Sequence, residues 1–87
     1  MNKMYVPLNR NVFAFRLRRA MSKRSVKLKD FAKAVCRSEE TVKKWRNGSM
    51  IPAFVTVVSI ANVLHVSIDF LTGRTDIMEI GGVKNAR

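Results

Sequence analysis

The apolar residues of this chain recur at the spacing of short amphipathic helices, and this periodicity constrains the fold more than any other feature. In the first apolar segment, the residues at helical intervals are Phe13, Leu17, Ala20 and Met21. In the second segment they are Leu28, Phe31, Ala32 and Val35. Mainly charged side chains fill the positions between them, so each segment would bury one face and expose the other. The pattern predicts short helices packed around a shared core.

Residues that begin and end helices divide the 87-residue chain into one small domain. Ser38 and Ser67 are suited to N-caps, and Gly48 and Gly73 are suited to ending helices. With the periodicity, they predict an all-α, compact five-helix domain over residues 10–73. The predicted helices cover residues 10–23, 28–35, 38–47, 53–64 and 67–72. Residues 1–9 are predicted to form an N-terminal arm, and residues 74–87 a C-terminal tail.

The fourth segment, residues 53–64, has features of both a strand and a helix. Its Val, Thr and Ile residues favour a strand by intrinsic propensity. Its length and its periodicity favour a helix instead. The residues that follow the helical rhythm, and are predicted to face the core, are Phe54, Val57, Val58, Ala61 and Leu64.

Charge divides the chain into a basic half and a neutral half. The 17 basic and six acidic residues give a formal net charge of +11. Thirteen basic and three acidic residues lie between residues 10 and 46, whereas residues 47–87 hold three of each. Such an imbalance on a small chain attracts polyanions, so nucleic acid is the leading predicted partner. A solvated basic surface without a specific ligand and an anionic membrane surface are the alternatives.

Residue types that support catalysis or metal binding are scarce. Cys36 and His65 are the only cysteine and histidine, and the chain has no CxxC, HExxH or Gly-rich nucleotide loop. We therefore predict no enzyme activity and no cofactor. The longest mainly apolar stretch, residues 51–64, is too short and too polar to cross a membrane. Because a single cysteine cannot form an internal disulfide, a cytoplasmic location is expected. Nucleic acid as the leading predicted partner would make the protein nucleoid-associated.

The segment LKDFAKAVCRSEETVKKWRNG, residues 28–48, resembles the helix-turn-helix of the lambdoid repressor and Cro family, also called the XRE family. The resemblance extends over residues 13–76. FAFRLRRAM resembles the first helix of the family, and PAFVTVVSIANVLHVSIDFLTGRTD resembles the fourth and fifth. It implies a transcriptional regulator whose third helix lies in the DNA major groove while the second crosses the backbone. A phage-type repressor that binds a palindromic operator as a homodimer is the function it favours.

The resemblance assigns DNA contacts to side chains around the second and third helices. With Val42 and Trp45 facing inward, the third helix presents its polar face outward. The predicted base-reading residues are Ser38, Glu39, Glu40, Thr41, Lys43 and Lys44. The predicted phosphate contacts are Arg24, Lys27, Lys29, Arg37, Asn47 and Ser49. Glu39 and Glu40 have a second explanation, because the helix dipole stabilises acidic residues in a first turn. The basic residues of the first helix, Arg16, Arg18 and Arg19, are interpreted as contributors to the general positive field.

Several positions depart from the family pattern. Cys36 stands where the turn usually has glycine, so we expect backbone strain there, and Arg37 replaces an apolar residue. Met21 and Arg46 occupy the positions of an arginine–glutamate ion pair that members of the family often form, so that pair is absent. His65 replaces the glycine that usually ends the fourth helix, and it is interpreted as a cap and not as a ligand.

The contacts of the expected dimer are predicted in the C-terminal part of the chain. They are Ile68, Phe70, Ile77, Met78 and Ile80, although the same residues could instead close the core. An alternative function is an antitoxin-type interaction module, in which the neutral half binds a protein such as a toxin or an antirepressor and DNA binding is secondary. A further alternative is non-specific, charge-driven DNA binding, which predicts no sequence preference.

Overall fold

A computed structural model describes residues 9–80, which form five α-helices and no strand. The helices are α1 (Arg10–Lys23), α2 (Leu28–Ala34), α3 (Glu39–Asn47), α4 (Phe54–Leu64) and α5 (Ile68–Leu71). The predicted all-α, five-helix fold is confirmed over these residues. The predicted N-terminal arm before Asn9 and the end of the predicted tail, residues 81–87, lie outside the described residues. None of the helices between residues 9 and 80 has the length and apolarity needed to cross a membrane.

Side-chain caps determine where three of the helices begin. The Oδ1 of Asn9 accepts hydrogen bonds from the backbone N–H groups of Asn11 at 2.9 Å and Val12 at 3.1 Å. Ser38 caps α3, and Ser67 caps α5, through their hydroxyl oxygens. These bonds satisfy N–H groups that have no partner inside a helix. Each helix therefore begins at the residue that follows its cap.

Three connections between helices pass through a left-handed residue that is not glycine. The φ angles are 56° at Ser25, 57° at Cys36 and 55° at His65. This conformation is unfavourable for residues with a Cβ, by about 1–2 kcal/mol. The expected strain at Cys36 and the role of His65 as a cap are both confirmed. The left-handed turn at Ser25 was not predicted.

All five helices contribute to one core. The largest fully buried side chains are Trp45, Phe13, Phe31, Leu17, Ile60, Leu64 and Leu71. The residues predicted to face inward from the first three helices are all buried except Leu28, which is half-buried and packs against the core. The periodicity therefore identified the inner faces of α1, α2 and α3 correctly.

The inner face of α4 differs from the predicted one at Phe54 and Thr56, and also at Ile60, which is fully buried, and Val58, which is half-buried. The buried residues of α4 are Thr56, Val57, Ile60, Ala61 and Leu64. The prediction that Phe54 faces the core is wrong, since this side chain is 70% exposed. Thr56 takes an inward position because its Oγ1 accepts a hydrogen bond from the Nη2 of Arg37 at 3.2 Å. A buried hydroxyl that is hydrogen-bonded carries little penalty.

Arg16 joins α1 to the segment that follows α5. Its Nη1 donates to the backbone oxygens of Phe70 at 3.2 Å and Thr75 at 2.6 Å, and its Nη2 lies 2.8 Å from the Oδ1 of Asp76. The guanidinium also lies 4.5 Å from the centroid of the Phe70 ring. The interpretation of Arg16 as a general contributor to the positive field is therefore incomplete, because this side chain is a structural link. Phe70, a predicted dimer contact, is buried in the core of its own chain.

Candidate nucleic-acid interface

The turn between α2 and α3 is held by hydrogen bonds at both of its ends. The backbone N–H of Arg37 donates to the backbone oxygen of Ala32 at 2.9 Å. The Oγ of Ser38 accepts from the backbone N–H of Thr41 at 3.1 Å and donates to the Oγ1 of Thr41 at 3.0 Å. These bonds fix α3 relative to α2. They also engage the side chains of two predicted base-reading residues, Ser38 and Thr41, with each other.

Burial of one face of α3 determines which of its side chains point outward. Val42 is fully buried and Trp45 is 2% exposed, on the side where α1 packs against α3. Five of the six predicted base-reading residues are exposed, and Thr41 is half-buried. Within residues 9–80, the charged members of this set form no ion pair; they are Glu39, Glu40, Lys43 and Lys44. They are free to meet an external ligand.

Two predicted phosphate contacts come together where α3 ends. The Oδ1 of Asn47 accepts hydrogen bonds from the backbone N–H of Ser49 at 2.9 Å and from its Oγ at 2.7 Å. Gly48 lies between them with a φ of +82°, in the left-handed region that favours glycine. A Cβ at this position would also lie only 3.1 Å from the Oδ1 of Asn11. The left-handed backbone conformation therefore calls for glycine at the end of α3, and a side chain there would also have to displace the Asn11 amide slightly.

Two further predicted phosphate contacts, Lys27 and Lys29, lie at the beginning of α2. Both side chains are exposed, and Lys27 occupies the N-cap position without a side-chain capping bond. Neither lysine forms an ion pair with another residue of the described part of the chain. The N-terminal end of α2 therefore presents two lysines that form no ion pair within residues 9–80, beside the exposed Asp30 of its first turn.

The remaining two predicted phosphate contacts have partners within the chain. The Nε of Arg24 donates to the backbone oxygen of Leu64 at 2.8 Å, and its Nη2 donates to that of His65 at 2.7 Å. Arg24 thus caps the C-terminal end of α4. Arg37 donates to Thr56, as described above. These acceptors are 40 and 19 residues distant in sequence, which explains why the sequence alone did not indicate them.

The side chain of Arg18 also reaches α3, which the sequence analysis did not anticipate. Its Nη1 donates to the backbone oxygen of Arg46. Arg18 and Arg46 line an open groove together with Lys43 and Asn47. One sequence feature could have indicated this contact, namely the departure from the family pattern at Met21 and Arg46. Arg46 is a cation at a position where members of the family often have an acid.

Comparison with known protein families identifies this arrangement. Residues 16–74 match the Cro/C1-type HTH DNA-binding domain. The chain belongs to the Cro/C1-type helix-turn-helix family. The match includes α2, α3, α4 and α5 and most of α1. Searches among curated proteins and among solved structures gave no significant match.

Membership of the Cro/C1-type family establishes the general function, which is that of a DNA-binding regulator. In a helix-turn-helix, the second helix of the motif lies in the major groove and the first crosses the DNA backbone. In this chain those helices are α3 and α2. Within residues 9–80, no group of three or more metal-ligating side chains could hold a metal ion. The chemistry that the exposed face of α3 offers is that of hydrogen bonding and charge.

Proposed function

We propose that this chain is a phage-type transcriptional repressor that binds a palindromic operator as a homodimer. The observation that carries the proposal is the exposed polar face of α3, held in place by the buried side chains of Val42 and Trp45. One module of this kind contacts few base pairs. A two-fold dimer places two reading helices about 34 Å apart, which is one turn of DNA. Such a dimer would block transcription by occupying promoter DNA.

The base-reading roles follow from the chemistry of the α3 side chains. Lys43 and Lys44 can donate to the O6 and N7 atoms of guanine, and Glu39 or Glu40 can accept from the N4 amino group of cytosine. Ser38 and Thr41 flank these residues and hold the beginning of α3 through their mutual hydrogen bonds. We assign sequence reading to the four charged side chains because they are exposed and are not ion-paired within residues 9–80.

The phosphate-contacting roles divide into two groups. The first group is exposed at the ends of the two helices of the motif: Lys27 and Lys29 at the start of α2, and Asn47 and Ser49 at the end of α3. They are proposed to contact the DNA backbone directly, which positions the domain without specifying a sequence. Arg24 and Arg37 act mainly through their partners in the fold, since each donates to an acceptor of α4 or its C-cap.

The dimer contact is proposed to use apolar side chains that the core leaves exposed. Among the predicted dimer residues, Phe70 is buried, while Ile68 and Met78 pack against the core. Ile80 is 59% exposed. The side chains of Phe54 and Val55, on the first turn of α4, are 70% and 71% exposed. These two exposed places, Ile80 and the Phe54–Val55 pair, are the candidate surfaces for a second copy of the chain.

The same exposed pair favours the antitoxin-type alternative, because an apolar surface can serve a different protein as well as a second copy. In that case a toxin or an antirepressor would cover Phe54 and Val55. The two functions differ in what purified protein does by itself. A repressor should dimerise and select a sequence, whereas an interaction module should remain monomeric until its partner is added.

Selection of bound duplexes from a random double-stranded DNA pool at near-physiological salt tests the proposal. Enrichment of a palindrome with half-sites about one helical turn apart is the expected result. Retention of DNA without enrichment would instead support charge-driven, non-specific binding. Absence of retention by a folded protein would reject the proposal and direct attention to a protein partner.

A further inference from the structure

An open groove with three cationic residues among its lining residues lies where α1, α2 and α3 meet. Its volume is about 480 Å³, and its lining residues are Arg18, Leu28, Lys43, Arg46 and Asn47. Three of these side chains are cationic, and the lining includes no carboxylate. Like charges that converge without a counter-charge repel one another in the free protein. The groove is therefore suited to an anion.

Arg46 provides the strongest indication of a ligand in this groove. Its Nε is buried and has no hydrogen-bond partner within the described part of the chain. Buried donors in folded proteins are normally paired, so an unpaired one calls for an explanation. The ion pairs within residues 9–80 are those of Arg16 and Arg74 with aspartates, and Arg46 belongs to neither. Because Arg46 as a whole is only half-buried, its Nη groups, and not the buried Nε, are the donors that could reach an external acceptor.

Arg18 brings a second guanidinium to the same place. One of its nitrogens donates to the backbone oxygen of Arg46, close to the C-terminal end of α3. Carbonyl groups at a helix end attract cations, which stabilises this position of Arg18. The contact fixes the side chain before any ligand binds. Guanidinium groups suit a phosphate, whose oxygens accept paired hydrogen bonds from arginine.

The position of the groove indicates which phosphate it would meet. Leu28 is the first residue of α2, and Lys43 and Asn47 lie on the exposed face of α3. In a helix-turn-helix, α2 crosses the DNA backbone and α3 enters the major groove. A site between α2 and α3 would therefore face the DNA backbone at the edge of the major groove.

We infer that this groove binds a phosphate group, with Arg18 and Arg46 as its main ligands, and that the group belongs to the backbone of the bound DNA. The inference rests on the proposed function, in that α3 must approach DNA. It adds two arginines to the expected phosphate contacts. It also assigns a role to Arg46. A glutamate, which members of the family often have at this position, would repel the phosphate.

The test uses the full chain and duplex DNA, both with the selected site and with random sequence. The variants are Arg18→Gln, Arg46→Met and Arg46→Lys, and Arg19→Gln is the matched control. Arg19 is an exposed residue of the same helix that carries the same charge but does not line the groove. Thermal unfolding followed by circular dichroism verifies that each variant is folded.

We expect Arg18→Gln and Arg46→Met to weaken binding about tenfold or more on both kinds of DNA and to lower the salt slope by about one. Arg46→Lys should fall between Arg46→Met and the unchanged protein, because lysine keeps the charge but loses the paired geometry. Arg19→Gln should have a much smaller effect. Equal losses in all variants would assign the effect to the general field and overturn the inference, as would unchanged binding in Arg18→Gln and Arg46→Met.

A second measurement separates failure of this inference from failure of the proposed function. Inorganic phosphate is titrated into the unchanged protein and into Arg18→Gln while the Nε–H resonance of Arg46 is followed by nuclear magnetic resonance. If the protein binds no duplex but this resonance shifts, and the shift is lost in Arg18→Gln, the groove binds phosphate from a free source. In that case the phosphate site stands and the DNA source is rejected. If the resonance responds neither to phosphate nor to DNA, the site itself is rejected.

Discussion

Arg16 and Asp76 form an ion pair of 2.8 Å in which the two partners differ sharply in exposure. The side chain of Arg16 is 14% exposed, and that of Asp76 is 97% exposed. The arginine also donates to the backbone oxygens of Phe70 and Thr75. Replacing Arg16 with methionine leaves these oxygens without their donor, so we expect a loss of about 1–3 kcal/mol in the free energy of unfolding. Urea unfolding measures this loss.

The matched change is Asp76→Asn. It removes only the exposed member of the ion pair, and exposed ion pairs contribute little to stability. Its unfolding midpoint should therefore stay near that of the unchanged protein. Equal destabilisation by Arg16→Met and Asp76→Asn would show that the ion pair, and not the backbone contacts, secures α1 to the segment after α5.

Substitutions of Arg24 and Lys27 should affect different properties, namely folding stability for Arg24 and DNA affinity for Lys27. Arg24 donates to the backbone oxygens of Leu64 and His65, so Arg24→Ala should lower the free energy of unfolding by about 1–3 kcal/mol. Lys27 is exposed and makes no side-chain capping bond, so Lys27→Ala should leave stability almost unchanged while weakening DNA binding. Urea unfolding and duplex titration of both variants make the comparison. A stable Arg24→Ala protein with strongly reduced affinity would assign Arg24 to the DNA backbone instead.

Trp45 tests the orientation of α3. This side chain is 2% exposed and is the largest in the buried core, so Trp45→Ala should cost about 3–5 kcal/mol. Because a domain of this size is only marginally stable, the variant should be largely unfolded. Circular dichroism at 25 °C measures the remaining helix content. Lys43→Ala, one exposed residue of the same helix, is the control that should remain folded.

Periodicity, together with the residues that begin and end helices, predicts the five helices because each of them buries apolar residues on one face. In α4 it misassigns part of the inner face: it predicts that Phe54 faces the core and that Thr56 does not, and it omits the buried Ile60. The structure exposes Phe54 and buries Thr56, because the Thr56 hydroxyl has a hydrogen-bond partner in Arg37. A pattern of apolar residues contains no information about such a distant partner.

The arginines were the least predictable part of the candidate interface for a related reason. An arginine side chain is long, and its several donors can reach many acceptors that lie far apart in sequence. Arg16, Arg24 and Arg37 all donate to residues far along the chain. By contrast, the exposed face of α3 was predictable, because two buried residues, Val42 and Trp45, determine the orientation of a whole helix.

Phe54 provides a test of the proposed dimer surface. It is 70% exposed and does not support the core, so Phe54→Ser should leave the unfolding midpoint nearly unchanged. If this residue contacts a second copy, the variant should shift the monomer–dimer equilibrium toward monomer, as measured by sedimentation equilibrium. Ile80→Ser tests the other exposed surface in the same way. Dimerisation that is unaffected by both changes would contradict the assignment of the interface to these side chains.

Lys44 tests whether α3 reads sequence. It is exposed on the outer face of α3 and forms no ion pair within residues 9–80, so Lys44→Ala should weaken binding to the selected operator by about 1–3 kcal/mol. The loss should be confined to the preferred sequence, and repeated selection should show relaxed preference at one base position of each half-site. Lys27→Ala is the comparison, because a phosphate contact should weaken every duplex alike and reduce the salt slope by about one. If the two variants lose affinity equally on selected and random DNA, Lys44 contacts the backbone and the sequence is read by other residues of α3.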